Sequence, residues 1–312
     1  MLALNITWDQ VSQLIVIGVY NGAAYGVLGV GFAIILGVTG RFHFAFGFTY
    51  ALAAYAVFWA SARAGMPYVV AVLFGVLICV IVGVGMERFG YRTLAKQAGP
   101  AALLAIFVAS LGLAIAGENV LRLTFSSAAQ QIGGGESLRT PIHWGPTSFR
   151  WLDLWQVVSG LALVIGLTLL LKFTGLGRAI KATRGNPEMA RIIGIKPNSI
   201  YVVCFAIGSL FAGVAAYWYG AKYSVTADMG FKPVIFAFVV GFLAGTASSP
   251  VRIFIVGIVV SIIEQLSSLF LEVRWTQLVV FVILVVYLGA LSIEPRKIYT
   301  AVRHPSFLAD KG

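Results

Sequence analysis

The sequence predicts an all-α fold, a polytopic transmembrane helical bundle of about nine spans (eight to ten), in a single transmembrane domain covering residues 1–312. Of these residues 60% are hydrophobic and only 11% are charged, and the mean hydropathy is +0.94. Soluble domains carry about 25% charged residues. A surface of this composition suits a bilayer, and the length accommodates the bundle at roughly 20 apolar residues per span.

Nine apolar stretches follow one another along the chain. They lie at about 13–39, 42–61, 67–86, 101–118, 154–173, 200–221, 233–247, 251–271 and 276–292. The seventh is short and rich in glycine and serine, which leaves open a broken or re-entrant helix at that point. We nevertheless expect all nine stretches to span the membrane.

Lysine and arginine lie mainly in loops, and this orients the bundle. Nine spans with an outer N-terminus place 15 basic residues inside and 7 outside, the asymmetry that the positive-inside rule describes. The inner set lies in the loops 87–98 and 172–199, in the tail after 292, and at Arg41 and Arg252. This topology predicts a cytoplasmic C-terminus.

Tryptophan gives a second signal that does not depend on charge. Under the same topology all seven tryptophans fall on the outer side, where an amphipathic ring suits the interface. They are Trp8, Trp59, Trp144, Trp151, Trp155, Trp218 and Trp275.

Several other classes of protein are disfavoured. The net charge of +11 resides in loops rather than on one basic face, so it does not indicate nucleic acid. Cys79 and Cys204 lie in separate apolar runs and are interpreted as small core residues, and the three histidines form no zinc pattern. The first ten residues contain no basic region of a cleavable signal peptide. No Gly-x-x-x-x-Gly-Lys-Ser/Thr occurs, so nucleotide chemistry would have to come from a partner.

The cytoplasmic loop at about 174–199 is the most informative segment. Asn186 is a favourable N-cap, Pro187 suits the first helical position and Glu188 suits the helix dipole. Gly194 can end the helix at positive φ. The segment therefore predicts a two-turn helix over 187–193 that presents Met189, Ile192 and Ile193, preceded by an amphipathic helix around 178–183. So short a helix must dock on something to be stable.

Polar groups within apolar stretches are the candidates for a solute pathway, because an intramembrane ionisable residue is costly. Glu264 lies mid-stretch and is interpreted either as a gate or cation partner, or as an inward carboxyl group that hydroxyls satisfy. Asn21 and Tyr25 share one helix face and could contact solute or a neighbouring helix. His43 lies near the inner boundary and could line the pathway or pack.

Small residues recur every fourth position at Gly18, Gly22 and Gly26, and again from Gly208 to Gly220. Such stripes permit close helix packing in lipid. Ordinary bundle contacts are one interpretation, and helices that flank a moving pathway are the other.

Several motifs resemble known transporters. Glu188-Met189-Ala190 with Gly194 resembles the EAA-x-x-x-G loop of ABC-importer permeases. Further segments, in order from about residue 13 to 297, resemble the permease subunit of branched-chain amino acid type ABC importers. They are Tyr25-Gly26, Gly29–Phe32, Gly37–Gly40, Glu87–Arg92, Gly177–Ala179, Ala190–Ile195, Gly230–Lys232, Ala237-Phe238, Gly257 and Glu264.

The chain departs from this family at two turns. The usual Asn-Phe-Ala-His-Gly is His43-Phe44-Ala45-Phe46-Gly47 here, and the usual Gly-Gly-x-Gly-Ser has become Gly241–Ser248. If the first turn borders the pathway, His43, Phe44 and Phe46 would alter the solute that is accepted. The solute could then differ from a standard branched-chain amino acid.

The resemblance implies a transport subunit, not an enzyme, in the inner membrane. Two separate ATP-binding cassette subunits would bind ATP and Mg²⁺ and push on the coupling loop. The implied coupling residues are Arg178, Lys181, Glu188, Met189, Ala190, Ile192, Ile193 and Gly194. A second homologous permease, giving a heterodimer, and an extracytoplasmic binding protein would complete the importer within the membrane lipid. The implied solute is a branched-chain amino acid or a related amide, urea or organic acid.

Two other classes of membrane protein predict different sequence features. A secondary, ion-coupled transporter would show paired intramembrane charges and an inverted repeat, whereas only Glu264 is securely intramembrane by sequence and no clear repeat emerges. A membrane-embedded enzyme would need convergent histidines or aspartates, which the sequence does not suggest.

Overall fold

The computed structural model describes residues 7–272 and 275–292. Its twelve α-helices are α1 Trp8–Thr39, α2 Phe46–Phe58, α3 Tyr68–Gly85, α4 Arg92–Gln97, α5 Ala102–Phe125, α6 Trp151–Phe173, α7 Gly175–Gly185, α8 Pro187–Ile192, α9 Pro197–Lys222, α10 Phe231–Ala244, α11 Pro250–Ser267 and α12 Thr276–Ser292. Short π-helical turns follow α2 (Trp59–Arg63) and α3 (Met86–Tyr91), and 3₁₀ turns occupy Gly99–Ala101 and Glu136–Arg139. The basic tail after 292 and Arg274 lie outside the described residues.

The predicted all-α bundle is confirmed, and each apolar stretch forms a helix. Six helical segments are long and apolar enough to cross a membrane, namely Trp8–Thr39, Tyr68–Gln97, Ala102–Phe125, Trp151–Phe173, Pro197–Lys222 and Pro250–Ser267. Helices α2, α10 and α12 are apolar but shorter. Length and composition therefore support six spans directly, and the count of about nine remains a prediction.

The seventh stretch forms an unbroken helix that ends early. Helix α10 has 14 residues, which rise about 21 Å, less than the roughly 30 Å of a hydrocarbon core. Gly245, at φ +81°, ends the helix, and a turn of serine and threonine leads to α11. Most of the glycine- and serine-rich sequence thus makes this turn.

Helix α1 lies at the centre of the bundle and packs along α11. A Cβ on Gly22 would lie 2.5 Å from the Ile258 Cα, and one on Gly26 would lie 2.7 Å from the Phe254 carbonyl oxygen. In the other direction, a Cβ on Gly257 would lie 2.5 Å from the Gly26 Cα. The first glycine stripe is therefore a close helix–helix contact, which fits the packing interpretation.

A β-hairpin precedes α6, and the sequence reading contained no strand. Strands β1 (Pro141–Trp144) and β2 (Thr147–Arg150) pair antiparallel, with Pro141 opposite Arg150. The side chain of Gln13 in α1 joins the hairpin, because its Nε2 donates to the Ser148 carbonyl at 2.9 Å and its Oε1 accepts from the Ser148 N–H at 2.8 Å. The hairpin thus marks one end of the bundle, while α7 and α8 lie at the end where α1 and α3 terminate.

Candidate functional site

Helices α7 and α8 form a capped pair between two long helices. The Thr174 hydroxyl accepts from the Gly177 N–H at 3.0 Å and begins α7. The Asn186 carboxamide accepts from the N–H groups of Glu188 and Met189 at 2.9 and 3.0 Å and begins α8. Gly194, at φ +85°, follows the last turn. The predicted N-cap and glycine terminus of this short helix are confirmed, as is the amphipathic helix before it.

The pair presents apolar side chains to the exterior. Met189, Ile192 and Ile193 are 61%, 78% and 70% exposed, although the helix is otherwise polar. Contiguous exposed apolar groups of this kind mark interaction surfaces. Ala190 differs, since it is 2% exposed and packs within this chain. Its side chain therefore packs against the rest of this chain and is not accessible for direct contact with a partner.

The charged coupling candidates are accessible on the same helix pair. Arg178 and Lys181 of α7 and Glu188 of α8 are all exposed, and none forms an ion pair within residues 7–272 and 275–292. These groups are therefore accessible to a partner.

At the hairpin end, a polar cavity of about 430 Å³ opens between α1, α6, α9 and α10. Asn21 and Tyr25, predicted from one face of α1, both line it. The Tyr25 ring stacks on Phe236 of α10 with centroids 4.3 Å apart. Tyr223, just after α9, lines the same cavity, and burial raises the pKa of its phenol, so it remains a neutral hydroxyl.

Two lysines bring positive charge to this cavity. Lys222 Nζ lies 2.8 Å from Asp153 Oδ1, 3.4 Å from Asn21 Oδ1 and 3.5 Å from the centre of the Tyr20 ring. Both side chains of the Lys222–Asp153 pair are nearly inaccessible, at 3% and 4%. Sequence reasoning assigned Lys222 to the outer surface and did not single out Asp153. The signals available were an acid in the first turn of α6 and a lysine at the last residue of α9.

Glu264 pairs with the second lysine. Its Oε1 lies 3.4 Å from Lys232 Nζ, and its side chain is 3% exposed against 45% for Lys232. Tyr25 also interacts with the Glu264 carboxyl group. A cation from α10 and a tyrosine hydroxyl from α1 thus both reach the Glu264 carboxyl group, so both interpretations of this residue stay open.

The predicted turn residues His43, Phe44 and Phe46 do not line this cavity. His43 is fully buried, with Nδ1 2.8 Å from the Tyr91 hydroxyl oxygen and its ring between Phe46 and Phe205. Phe44 packs edge-on against Phe107 at 5.4 Å. These aromatic contacts support a packing role, so His43, Phe44 and Phe46 form no common site with Asn21 and Tyr25.

A buried ion pair closes this inner turn. Arg41, between α1 and α2, pairs with Glu87 in the π-helical turn after α3, and both are buried. The Arg41 guanidinium also stacks on the Tyr201 ring of α9, 5.1 Å from its centre. Glu264 is therefore accompanied by other ionisable side chains that are buried, namely Glu87, Asp153 and Lys222, and which of them lie within the membrane stays a prediction.

The fold and these two surfaces are those of a polytopic α-helical membrane transport protein, with a polar cavity at one end and a short helix with an exposed apolar face at the other. The chain belongs to the family described as branched-chain amino acid transport system / permease component, which matches residues 14–288. This confirms the family that the sequence motifs indicated.

Curated relatives agree along most of the chain. The high-affinity branched-chain amino acid transport system permease protein LivH of Escherichia coli strain K12, and that of Salmonella typhimurium strain LT2, are 27% identical over 285 residues. The match covers 87% of this chain and 90% of LivH. The permease protein BraD of Pseudomonas aeruginosa strain PAO1 is 28% identical over 252 residues, 76% of this chain and 80% of BraD. No solved structure matches significantly.

Proposed function

We propose that this chain is the permease subunit of an ABC importer that moves a small amino-acid-like solute across the inner membrane. The observation that carries the proposal is α8, a capped helix with an exposed apolar face and a positive-φ glycine terminus. A six-residue helix is not stable alone in water, so a complementary groove on a partner accounts for its sequence. The family membership supports an importer of this class.

The partners follow from this assignment. Two cytoplasmic ATP-binding cassette subunits bind ATP and Mg²⁺ and press on α7 and α8. A second homologous permease completes the pathway as a heterodimer, and an extracytoplasmic binding protein delivers the solute to the hairpin end. The proposal requires nine spans, with the N-terminus outside and the C-terminus in the cytoplasm. The ATPase subunits then meet α7 and α8 in the cytoplasm, and the binding protein meets the hairpin end outside.

The cavity at the hairpin end suits a zwitterionic solute. Lys232, only partly covered and paired with Glu264, can offer its ammonium group to a carboxylate. Tyr25 and Tyr20 provide ring faces for an ammonium group or an aliphatic side chain. The names of LivH and BraD point to a branched-chain amino acid, and a related amide, urea or organic acid is the alternative within the family.

An ion-coupled secondary transporter is the second candidate, and the two charge pairs beside the cavity favour it. Such carriers use paired charges within the membrane, and Lys222–Asp153, which is buried, and Lys232–Glu264, of which the carboxylate is buried, would supply them. The two candidates differ in their energy source. Uptake in proteoliposomes that requires ATP and the ATPase subunits supports the importer, whereas uptake driven by an ion gradient without them supports the carrier.

The coupling face has its own test, Ile192→Asp. Ile192 is 78% exposed, so the substitution leaves the bundle intact but places a charge in the apolar contact. We expect ATPase capture by the purified permease to fall roughly tenfold or more, since desolvating an unpaired charge costs several kcal/mol. Ile192→Leu is the matched control and should retain capture. Normal capture of the ATPase and normal solute uptake by the Ile192→Asp variant would show that the ATPase binds another surface.

A further inference from the structure

A separate cavity opens at the coupling-helix end of the bundle. It has a volume of about 280 Å³ and lies between α1, α6, α7 and the turn that precedes α11. Its depth is apolar, lined by Ile34 of α1, Leu167 of α6 and Ile253 of α11. These residues lie in the last turns of α1 and α6 and the first turn of α11, so the cavity reaches from the bundle end into its apolar zone.

The mouth of this cavity is cationic. Lys172, Lys181 and Arg184 line it, and its lining contains no acidic residue. None of the three forms an ion pair within residues 7–272 and 275–292. Arg184 donates one hydrogen bond, to the Ala247 carbonyl oxygen at 2.9 Å. Three clustered cations beside an apolar recess call for an occupant with an anionic head and an apolar chain.

We propose that this cavity binds an anionic phospholipid of the cytoplasmic leaflet. The phosphate group lies among Lys172, Lys181 and Arg184, and an acyl chain enters the recess between Ile34, Leu167 and Ile253. Basic pockets between transmembrane helices on the cytoplasmic side are suited to such headgroups. The lipid would brace α7, the helix that leads into the coupling helix α8.

Other occupants match these features less well. Residues 293–312, a part of the chain outside the described structure, carry four basic and two acidic residues, so their net charge has the wrong sign. A free phosphate ion would satisfy the cations and leave the apolar recess unused. A second permease that covered this cavity would have to bring acidic side chains to Lys172, Lys181 and Arg184.

The first test measures lipid retention by the full-length wild-type chain. Native mass spectrometry after delipidation should show one phosphatidylglycerol bound in preference to phosphatidylcholine. Inorganic phosphate at millimolar concentration should not displace it, because it lacks the acyl chain. Equal retention of phosphatidylcholine, or full displacement by phosphate, would overturn the proposal. Loss of the lipid on assembly with the second permease would show that protein covers the cavity, and would overturn it too.

The second test changes the charges. Lys172→Gln with Lys181→Gln and Arg184→Gln should weaken phosphatidylglycerol binding roughly tenfold or more, since each basic residue near an anionic surface contributes about 1 kcal/mol. The control removes the same charge elsewhere at this end, as Lys96→Gln with Arg191→Gln and Lys196→Gln, and should bind as wild type. Should the triple variant not fold, Lys181→Gln alone, at an exposed position, should still lower retention. Unchanged retention of phosphatidylglycerol by the cavity variants would contradict the proposal.

Discussion

Lys222 and Lys232 carry the same charge into one cavity but depend on their acidic partners to different degrees. The Lys222–Asp153 pair is almost inaccessible to water on both sides, whereas Lys232 is nearly half exposed. Breaking a buried pair strands a charge and costs about 3–5 kcal/mol. A partly exposed lysine can turn to water when its partner is lost, and such pairs are worth about 0–1 kcal/mol.

Asp153→Asn should therefore destabilise the chain far more than Glu264→Gln does. We expect a clear fall in the thermal unfolding midpoint of the detergent-purified protein for the first and a small change for the second. Lys222→Met combined with Asp153→Asn should recover part of the loss, because no charge is then stranded. Transport should survive Glu264→Gln within a few fold. Equal effects of the two single variants, or a tenfold transport loss in normally assembled Glu264→Gln, would contradict this account.

Gly194 is required for its backbone conformation and not for space. Its φ is +85°, and an added Cβ would meet nothing within 4 Å. Gly194→Val should strain the turn by about 1 kcal/mol or more and misalign the Met189 and Ile192 face. We expect an intact bundle with weaker ATPase capture and uncoupled hydrolysis. Gly194→Asn is the control, because asparagine tolerates this region. Wild-type coupling in Gly194→Val would show that the turn is not needed.

The sequence predicted the short helix α8 and missed the ion pairs, because the first depends on residues close together in the sequence and the second on residues far apart. Asn186, Pro187 and Gly194 act on neighbours a few positions away, so their pattern alone fixes where α8 begins and ends. Asp153 and Lys222 lie on helices far apart in the sequence. Their pairing depends on how α6 and α9 pack, which no local pattern encodes.

At the scale of elements, the contact between α1 and α11 decides whether the core assembles. Gly26 faces Phe254 and Gly257 so closely that there is no room for a side chain. In lipid, helices associate through such close packing and not through a hydrophobic drive. The second half of α1 is buried against α9 and α10 in addition, since a Cβ on Gly31 would lie 3.0 Å from the Gly208 carbonyl oxygen and one on Gly29 would lie 2.7 Å from Val240 Cγ1.

Gly26→Val should prevent assembly or lower the unfolding midpoint strongly, because an overpacked core must shift its backbone. Gly166→Val provides the matched control. It makes the same change within an apolar helix, α6, where an added Cβ meets nothing within 4 Å. Size-exclusion profiles and thermal unfolding of both variants in detergent give the comparison. Wild-type behaviour of Gly26→Val would mean that α1 and α11 are further apart than described.

The hairpin shows the limit of hydropathy as a guide to elements. Its strands have four residues each and are joined by Gly145, at φ +59°, and Pro146. So short a pair adds little to any hydrophobic pattern, and it is held by Gln13 of α1 rather than by its own core. The apolar stretches therefore located nine of the twelve described α-helices but passed over the two strands between α5 and α6.

For the molecule as a whole, topology decides which partner meets which surface. Six helical segments are long and apolar enough to cross a membrane. Whether α2, α10 and α12 also cross decides whether the total number of spans is odd or even, and so whether the two termini lie on opposite sides. Nine crossings place the hairpin and the α7–α8 pair on opposite sides of the membrane. One further crossing between residues 150 and 174 would instead put them on the same side, although among the described elements only α6 lies there.

Cysteine labelling from either face of sealed vesicles should settle the orientation. Ser137→Cys and Gly185→Cys are suitable, because both positions are exposed and Gly185 has open space around it. Gly134 is less suitable, since its φ is +82° and a Cβ would lie 3.0 Å from the Tyr68 ring. The native Cys79 and Cys204 are free but buried, so background labelling should be low. We expect position 137 to react only from the periplasmic side, and position 185 only once the cytoplasmic side is opened. Reaction of both from one side would refute the nine-span arrangement, and reaction of position 185 from the periplasmic side would also refute the docking of an ATPase on α8.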